Sequence, residues 1–270
     1  MDIKLVAVDL DDTLLDKSNQ VSPHTREIIR QAVAQGVTVT VATGRMYQSA
    51  VRFARQLKID VPIITYNGAL IKSCLSEEVL YEQPIELETA RGVLELFKSR
   101  GWYVQSYIDD VLCVEKINDK VRCYEKIIDV KAEAIGAALY APPKAPTKLL
   151  TIGEPAELEV IWQVVAEQFG DRLYITKSKA NYLEMAHPSV NKGQALRFLA
   201  AKLGITREQV MAVGDSLNDL DMIEYAGWGV AMGNAAERVK AVAQAVTLRN
   251  DEDGVAEAIR RFALRQDLKD

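Results

Sequence analysis

The chain has 270 residues, 49% hydrophobic and 26% charged, the proportions of an ordinary soluble globular protein and a length that suits one large domain or two small ones. A formal net charge of −5 argues against a nucleic-acid-binding surface, and three cysteines (Cys74, Cys113, Cys123) without a Cys-x-x-Cys spacing indicate neither a disulfide framework nor a zinc site. No run approaches the ~18 apolar residues of a membrane span, and the N-terminal apolar run is too short for a signal peptide, so a cytoplasmic location without membrane contact is expected.

In chain order, Ile3-Lys4-Leu5-Val6-Ala7-Val8 reads as a buried parallel strand, and it runs straight into Asp9-Leu10-Asp11-Asp12-Thr13. Ser22 and Pro23 start a helix that should reach about Gln35 and stop at Gly36. Val37 to Ala42 is a β-branched second strand, a helix covers about Met46 to Leu57, and Val61 to Thr65 is a third strand before the Asn67-Gly68 turn and Ala69-Leu70-Ile71. This alternation predicts an α/β fold with a doubly wound parallel sheet. From about Gln83 the pattern changes. A helix (Leu87 to Ser99), two short strands (Trp102 to Tyr107 and Val111 to Val114) joined by Asp109-Asp110, and a helix (Asn118 to Ile128) precede the Pro-rich break at Ala141 to Pro146. Lys148 to Ile152 is a strand, Pro155 to Gln168 a helix, and Leu173 to Ile175 and Tyr182 to Met185 are strands. The doubly wound pattern then resumes: helix Lys192 to Leu203, strand Val210 to Val213, helix Asp219 to Tyr225, strand Gly229 to Met232, helix Glu237 to Val242, strand Ala245 to Leu248 and helix Gly254 to Leu264. The simplest organisation is one core built from both ends, residues 1–82 and 189–270, with an α+β domain inserted at 83–188.

Three core strands end in polar residues with little structural purpose: Asp9-Leu10-Asp11, Thr43-Gly44-Arg45 and Gly214-Asp215-Ser216-Leu217-Asn218-Asp219. Taken alone, the first cluster also fits a polar turn with a helix cap. In open α/β sheets, however, ligands bind in the crevice beyond the carboxyl ends of the strands, and three such ends coincide here. Asp9 and Asp11 share a face in extended backbone. Lys192 lies in the first turn of its helix, the wrong end of the dipole for a cation, but it balances charge if it faces carboxylates and a phosphate. Carboxylates so crowded cannot all ionise without a cation, and all-oxygen ligation without cysteine or a placed histidine points to magnesium. Neither a Walker-type loop nor Gly-x-Gly-x-x-Gly occurs.

Asp9-Leu10-Asp11-Asp12-Thr13-Leu14-Leu15, Thr43-Gly44-Arg45, Lys192 and Gly214-Asp215-Ser216-Leu217-Asn218-Asp219, in that order, resemble the four motifs of the haloacid dehalogenase superfamily. The place of the insertion, together with Tyr66-Asn67-Gly68-Ala69, Glu224-Tyr225-Ala226-Gly227 and Val230-Ala231-Met232-Gly233-Asn234-Ala235, resembles the Cof-type branch of sugar-phosphate phosphatases, with a large C2-type cap. Asp12 departs from the pattern, where Gly is common. The resemblance implies a Rossmann-like core and a magnesium-dependent phosphatase for small phosphorylated metabolites, sugar phosphates among them. In that reading Asp9 is the nucleophile that forms an aspartyl-phosphate. Asp11 protonates the leaving alcohol and then takes a proton from the hydrolytic water. Magnesium is held by Asp9, the backbone carbonyl of Asp11, and Asp215. The backbone N–H groups of Leu10 and Gly44, the Thr43 hydroxyl, the Lys192 ammonium and the Asn218 amide bind phosphate, while Asp219 orients Lys192 or a metal-bound water. The inserted domain is expected to close over the site and contact the leaving group, with Arg45, Asn67 and Tyr182 as candidate substrate contacts. A monomer or small homo-oligomer is expected.

Two other readings stand beside this one. A sugar phosphomutase shares the motifs. A receiver-like phospho-acceptor or binding protein combines similar residues on a doubly wound sheet, but in about half the length and without the Gly214-Asp215 motif.

Overall fold

A computed structural model describes residues 2–57 and 61–264. The predicted core segments 1–82 and 189–270 also take in residues 1, 58–60 and 265–270, which lie outside the described residues. The chain divides into two compact units. One comprises Met1–Gly44, Ala50–Leu80 and Asn191–Asp270, the other Arg45–Ser49 and Tyr81–Val190. The order begins β1 (Leu5–Val8), α1 (Pro23–Ala34), β2 (Thr38–Val41), α2 (Tyr47–Gln56), β3 (Pro62–Thr65), β4 (Leu70–Ser73), β5 (Val79–Glu82). It continues α3 (Leu87–Arg100), β6 (Gln105–Ile108), β7 (Val111–Val114), α4 (Asp119–Ile128), β8 (Glu133–Ala134), β9 (Lys148–Ile152), α5 (Pro155–Phe169), β10 (Tyr174–Lys179), β11 (Tyr182–Ala186). It ends α6 (Lys192–Lys202), β12 (Val210–Gly214), α7 (Leu220–Tyr225), β13 (Trp228–Ala231), α8 (Glu237–Val242), β14 (Ala245–Val246), α9 (Gly254–Phe262).

The first unit is built on a five-stranded sheet in the order β14-β13-β12-β1-β2, parallel throughout. Leu5, Val6, Ala7 and Val8 are all buried, as are Val210 to Gly214, because helices cover both faces of a parallel sheet. The chain winds outward from β1 to β2 in one direction and from β12 to β13 and β14 in the other. The order therefore reverses at the β1–β12 pair, and the crevice beyond its carboxyl end is where such sheets bind ligands. The predicted third strand meets this sheet through a single parallel bridge, Ala42 to Ile64, and otherwise pairs antiparallel with β4. Pro62 brings no N–H to a ladder, and the turn at Tyr66–Gly68 sends the chain straight back.

The second unit holds a mixed six-stranded sheet, β10-β11-β9-β6-β7-β8, antiparallel except for β7 with β8. Helices α3 and α5 supply Val93, Leu94, Phe97, Leu158, Ile161 and Val165 to a core that includes Leu149, Leu183 and Met185 of the sheet. At the alternate positions of the same strands, Lys148 and Glu184 form a buried ion pair at 3.2 Å, and Ser178 donates to Glu184 at 2.7 Å. The strand expected from Trp102 starts only at Gln105. Gly101 ends α3 in the left-handed region (φ 67°), and the Trp102 N–H returns to the Phe97 carbonyl at 2.9 Å, so these residues serve the helix terminus. No helix among the described residues is long and apolar enough to cross a membrane.

Gly68 marks a tight crossing near the strand ends. Its φ is +105°, and a Cβ there would sit 2.5 Å from the Asn191 carbonyl oxygen. Both faults fall on backbone that cannot rotate away. Gly68→Ala is expected to cost roughly 2–4 kcal/mol, read as a lower thermal midpoint. An unchanged midpoint would show that this crossing is not constrained.

Candidate active site

Every charged group of the site is delivered by a strand end or the first turn of a helix. Asp9 follows β1 and donates its own N–H to Val213 O of β12 at 3.0 Å, which keeps the residue in register with the neighbouring strand. Thr43 follows β2 and is buried, its N–H on Ile64 O at 2.9 Å. Asp215 follows β12. Asn191 caps α6 by accepting from Gln194 N at 2.7 Å, and this places Lys192 in the first turn, facing the strand ends.

The Lys192 Nζ lies 2.6 Å from Asp9 Oδ1 and 2.6 Å from Asp219 Oδ1, and the side chain is fully buried. Asp219 turns its other oxygen, Oδ2, toward the N–H groups of Asp215 and Ser216, each at 2.9 Å. Asp219 is therefore engaged at both oxygens and holds Lys192 to the loop that carries Asp215. The approach requires Gly214, where a Cβ would stand 2.6 Å from Asp219 Cγ. Thr13 donates its hydroxyl to Asp215 Oδ1 at 2.7 Å. Asn218 Nδ2 donates to Asn67 Oδ1 at 2.9 Å, and a Cβ on Gly44 would meet that same Asn67 oxygen at 2.9 Å. Tyr66, Asn67 and Gly68 all have positive φ (52°, 57° and 105°). A buried Tyr in that region is strained, and strain of this kind gathers at functional loops.

The electrostatics follow from burial. Burial raises the Asp9 carboxyl well above the usual carboxylate range; Lys192 opposes the shift, while Asp219, Asp215 and Asp11 add to it. Burial pushes Asp215 up to about 7, against the Thr13 hydrogen bond and with help from Asp219 and Asp12. Burial works against the Lys192 ammonium, but Asp219 and Asp9 outweigh it and hold the group charged. One cation thus faces an excess of acid. Asp9, Asp215 and Asp219 each bring a carboxylate oxygen within 4.8 Å of the others. A hard cation that takes oxygen ligands fits this donor set.

Among the residues singled out by sequence, the structure brings together Asp9, Lys192, Asp215 and Asp219, and joins Gly44, Asn67 and Asn218 through the loop at 215–219. Leu10 is buried at the start of a wide turn, Leu10–Leu14, and Asp11 is exposed on that turn. Asp12 adopts φ 59°, ψ 9°, a conformation free to Gly and tolerated by Asp, which accounts for a Gly being common at this place. Arg45 and Tyr182 belong to the second unit, where Tyr182 is buried with its ring edge-on to Tyr124. The sequence reading gave Thr13 no role. The available signal was a hydroxyl two residues beyond Asp11 in a run otherwise acidic or apolar.

A family model described as haloacid dehalogenase-like hydrolase matches residues 6–259. The chain is 33% identical over 274 residues to a putative phosphatase of Streptococcus pyogenes, covering 98% of this chain and 100% of the relative. It is 34% identical over 272 residues to the 5-amino-6-(5-phospho-D-ribitylamino)uracil phosphatase YcsE of Bacillus subtilis, covering 98% and 97%. Among solved structures, a haloacid dehalogenase-like hydrolase from Bacteroides thetaiotaomicron superposes with a TM-score of 0.89 at 32% identity, covering 96% of this chain and 99% of the other.

Asp215 holds a proton in the fold where an unfolded carboxylate has lost it. In metal-free buffer its contribution to stability is therefore present at low pH and lost as pH rises through about 7. Asp215→Asn removes that titration. With chelator, the variant should melt above the wild type at pH 8, and the gap should close as pH falls to 5. A saturating divalent cation should reverse the order, because an amide oxygen binds a hard cation more weakly than a carboxylate. A chelated wild type that melts above the variant at pH 8 would contradict the assignment.

Proposed function

Since the chain belongs to the haloacid dehalogenase-like hydrolases, in their Cof-type branch, and is a phosphatase acting on small phosphorylated metabolites, we propose that it hydrolyses primary phosphate esters of sugars or polyols through an aspartyl-phosphate on Asp9. The observation that carries this reading is the Lys192 ammonium at 2.6 Å from Asp9. A carboxylate buried at a strand end and pinned by a lysine has one oxygen fixed and the carboxylate plane aimed, which is what an in-line displacement at phosphorus requires.

The Asp9 oxygen attacks phosphorus as the bond to the ester oxygen breaks, and Asp11 gives its proton to the departing alcohol. Asp11 is exposed and can exchange that proton with solvent. Water then attacks the phosphorus of the aspartyl-phosphate, Asp11 takes its proton, and inorganic phosphate leaves with Asp9 restored. The N–H groups of Leu10 and Gly44, the Thr43 hydroxyl, Lys192 and the Asn218 amide hold the phosphoryl oxygens, and Asn67 fixes the Asn218 amide. Magnesium would be held by Asp9, the Asp11 carbonyl and Asp215, where it supplies charge neutralisation and alignment of the phosphoryl group. Asp219 keeps Lys192 in place and charged. Arg45, Asn67 and Tyr182 are the candidate contacts for the leaving group. A ribityl phosphate appears in the name of one relative, and it is a primary ester of the proposed kind.

Wild type with magnesium should release phosphate from a panel of hexose, pentose and polyol phosphates, and chelation should stop it. Asp9→Asn should lower turnover by more than about 10³-fold, since no second nucleophile stands in its place. Persisting turnover in that variant would remove Asp9 from its role. Phosphorus NMR of a hexose phosphate should show inorganic phosphate growing in; an isomeric sugar phosphate in its place would make the protein a mutase.

A further inference from the structure

The wide turn after β1 carries Asp11 before Asp12 and Thr13 after it, so the left-handed Asp12 sets the direction of both. Asp12 is not Gly, and nothing in its own chemistry makes this conformation its best one. Its neighbours do. Asn234, beyond β13, donates from Nδ2 to the Asp12 carbonyl at 2.8 Å. The Asn234 Oδ1 accepts from the Asn250 N–H at 3.0 Å, and Asn250 Nδ2 donates to the Leu15 carbonyl at 2.9 Å. A main-chain N–H can only donate and a carbonyl can only accept, so these partners allow each amide a single orientation. The turn that carries Asn250 also engages the stretch after Leu15. Asp251 pairs with Lys17 at 2.9 Å, and Asp253 accepts from Thr25 at 2.9 Å and from Ser22. Asn234 is itself fixed in place, because Gly233 N donates to Leu248 O at 2.9 Å and Ala236 N to Asp215 O at 3.0 Å.

We propose that Asn234 and Asn250 form a clasp across the two ends of the Asp12–Leu15 turn, and that Asn234 is a positioning residue for proton transfer by Asp11. The clasp stands in for the glycine that would adopt this turn unaided. It holds the turn open in the one conformation that presents Asp11 beyond Asp9 and, on the other side of Asp12, lays the Thr13 hydroxyl on Asp215. Asn234 touches neither substrate nor phosphate; it acts through the backbone of Asp12. The inference rests on the phosphatase reading above.

A role in proton delivery is separable from a role in folding by the leaving group. An alkyl phosphate needs its departing oxygen protonated, whereas p-nitrophenolate leaves without a proton. The quantity to measure is kcat/KM, which reports the first displacement and is blind to the hydrolysis step that all substrates share. In magnesium, Asn234→Ala should lower kcat/KM for a hexose 6-phosphate about tenfold more than for p-nitrophenyl phosphate. The near-isosteric Asn234→Asp, which turns an acceptor onto the Asp12 carbonyl, should show the same imbalance in a chain whose packing is intact. Asp12→Gly should rescue: placed in the Asn234→Ala background, it should bring the ratio of the two substrates to within about twofold of that in Asp12→Gly alone. Equal losses on both esters, or no rescue by Asp12→Gly, would overturn the clasp while leaving the phosphatase reading standing. A wild type inactive on both esters would overturn that reading and the clasp with it.

Discussion

A lysine ammonium with no exposure to solvent, held between two carboxylates, is the interaction on which the site depends. Desolvating a charge this completely is expensive, and it is tolerable only because Asp9 and Asp219 each lie 2.6 Å from the nitrogen. The pairing explains a placement that is otherwise unfavourable, a cation in the first turn of α6. It also explains why Gly214 has no side chain, since any Cβ would occupy the space of the Asp219 carboxyl. Removing the lysine would strand two buried acids. Removing Asp219 would release both Lys192 and the N–H groups of Asp215 and Ser216.

The same charge ledger accounts for the remaining acids. Lys192 offsets one unit of negative charge among Asp9, Asp215 and Asp219, and burial then drives Asp9 and Asp215 toward their protonated forms. A site in this condition invites a divalent cation, which would return both groups to the ionised state. Thr13 occupies one oxygen of Asp215 with its hydroxyl, which restricts the rotation of that carboxyl. The acidity of the cluster and its demand for a cation are one property seen from two sides.

Backbone conformations that most residues avoid occur at the strand ends that form the site. Asp12, Tyr66, Asn67 and Gly68 all take positive φ within the unit that carries the parallel sheet. Each lets a short loop turn sharply enough to project a functional group, and each is over-determined by neighbours: Asp12 by Asn234, and Asn67 by Asn218 and by the Thr43 carbonyl, which accepts its N–H at 3.0 Å. Membership of the haloacid dehalogenase-like hydrolases makes the protein a phosphatase and removes the receiver-like alternative, which had accounted for the Asp, Thr and Lys but not for the loop at 214–219.

The alternation of β-branched runs with capped helices determined an α/β protein with a parallel core and an inserted α+β unit, because periodicity and caps are local properties of neighbouring residues. The polar strand ends at Asp9, Thr43 and Asp215 were equally legible, since a carboxylate closing an apolar run has few structural uses. Lys192 was a weaker signal, one cation in a helix start. Tertiary structure decided what no local pattern encodes. Asp219 came to bridge Lys192 and the 215–216 main chain, because the chain brings its two oxygens against an ammonium 27 residues away and two N–H groups beside it. Thr13 acquired its role only when β1 and β12 became neighbours and set it against a carboxylate 202 positions distant. The third strand left the core sheet for a hairpin through Pro62 and the Tyr66–Gly68 turn. The clasp on Asp12 joins residues 222 apart in sequence. Contacts of that span depend on which strand ends the fold places side by side, and a single chain read from end to end does not carry that distance.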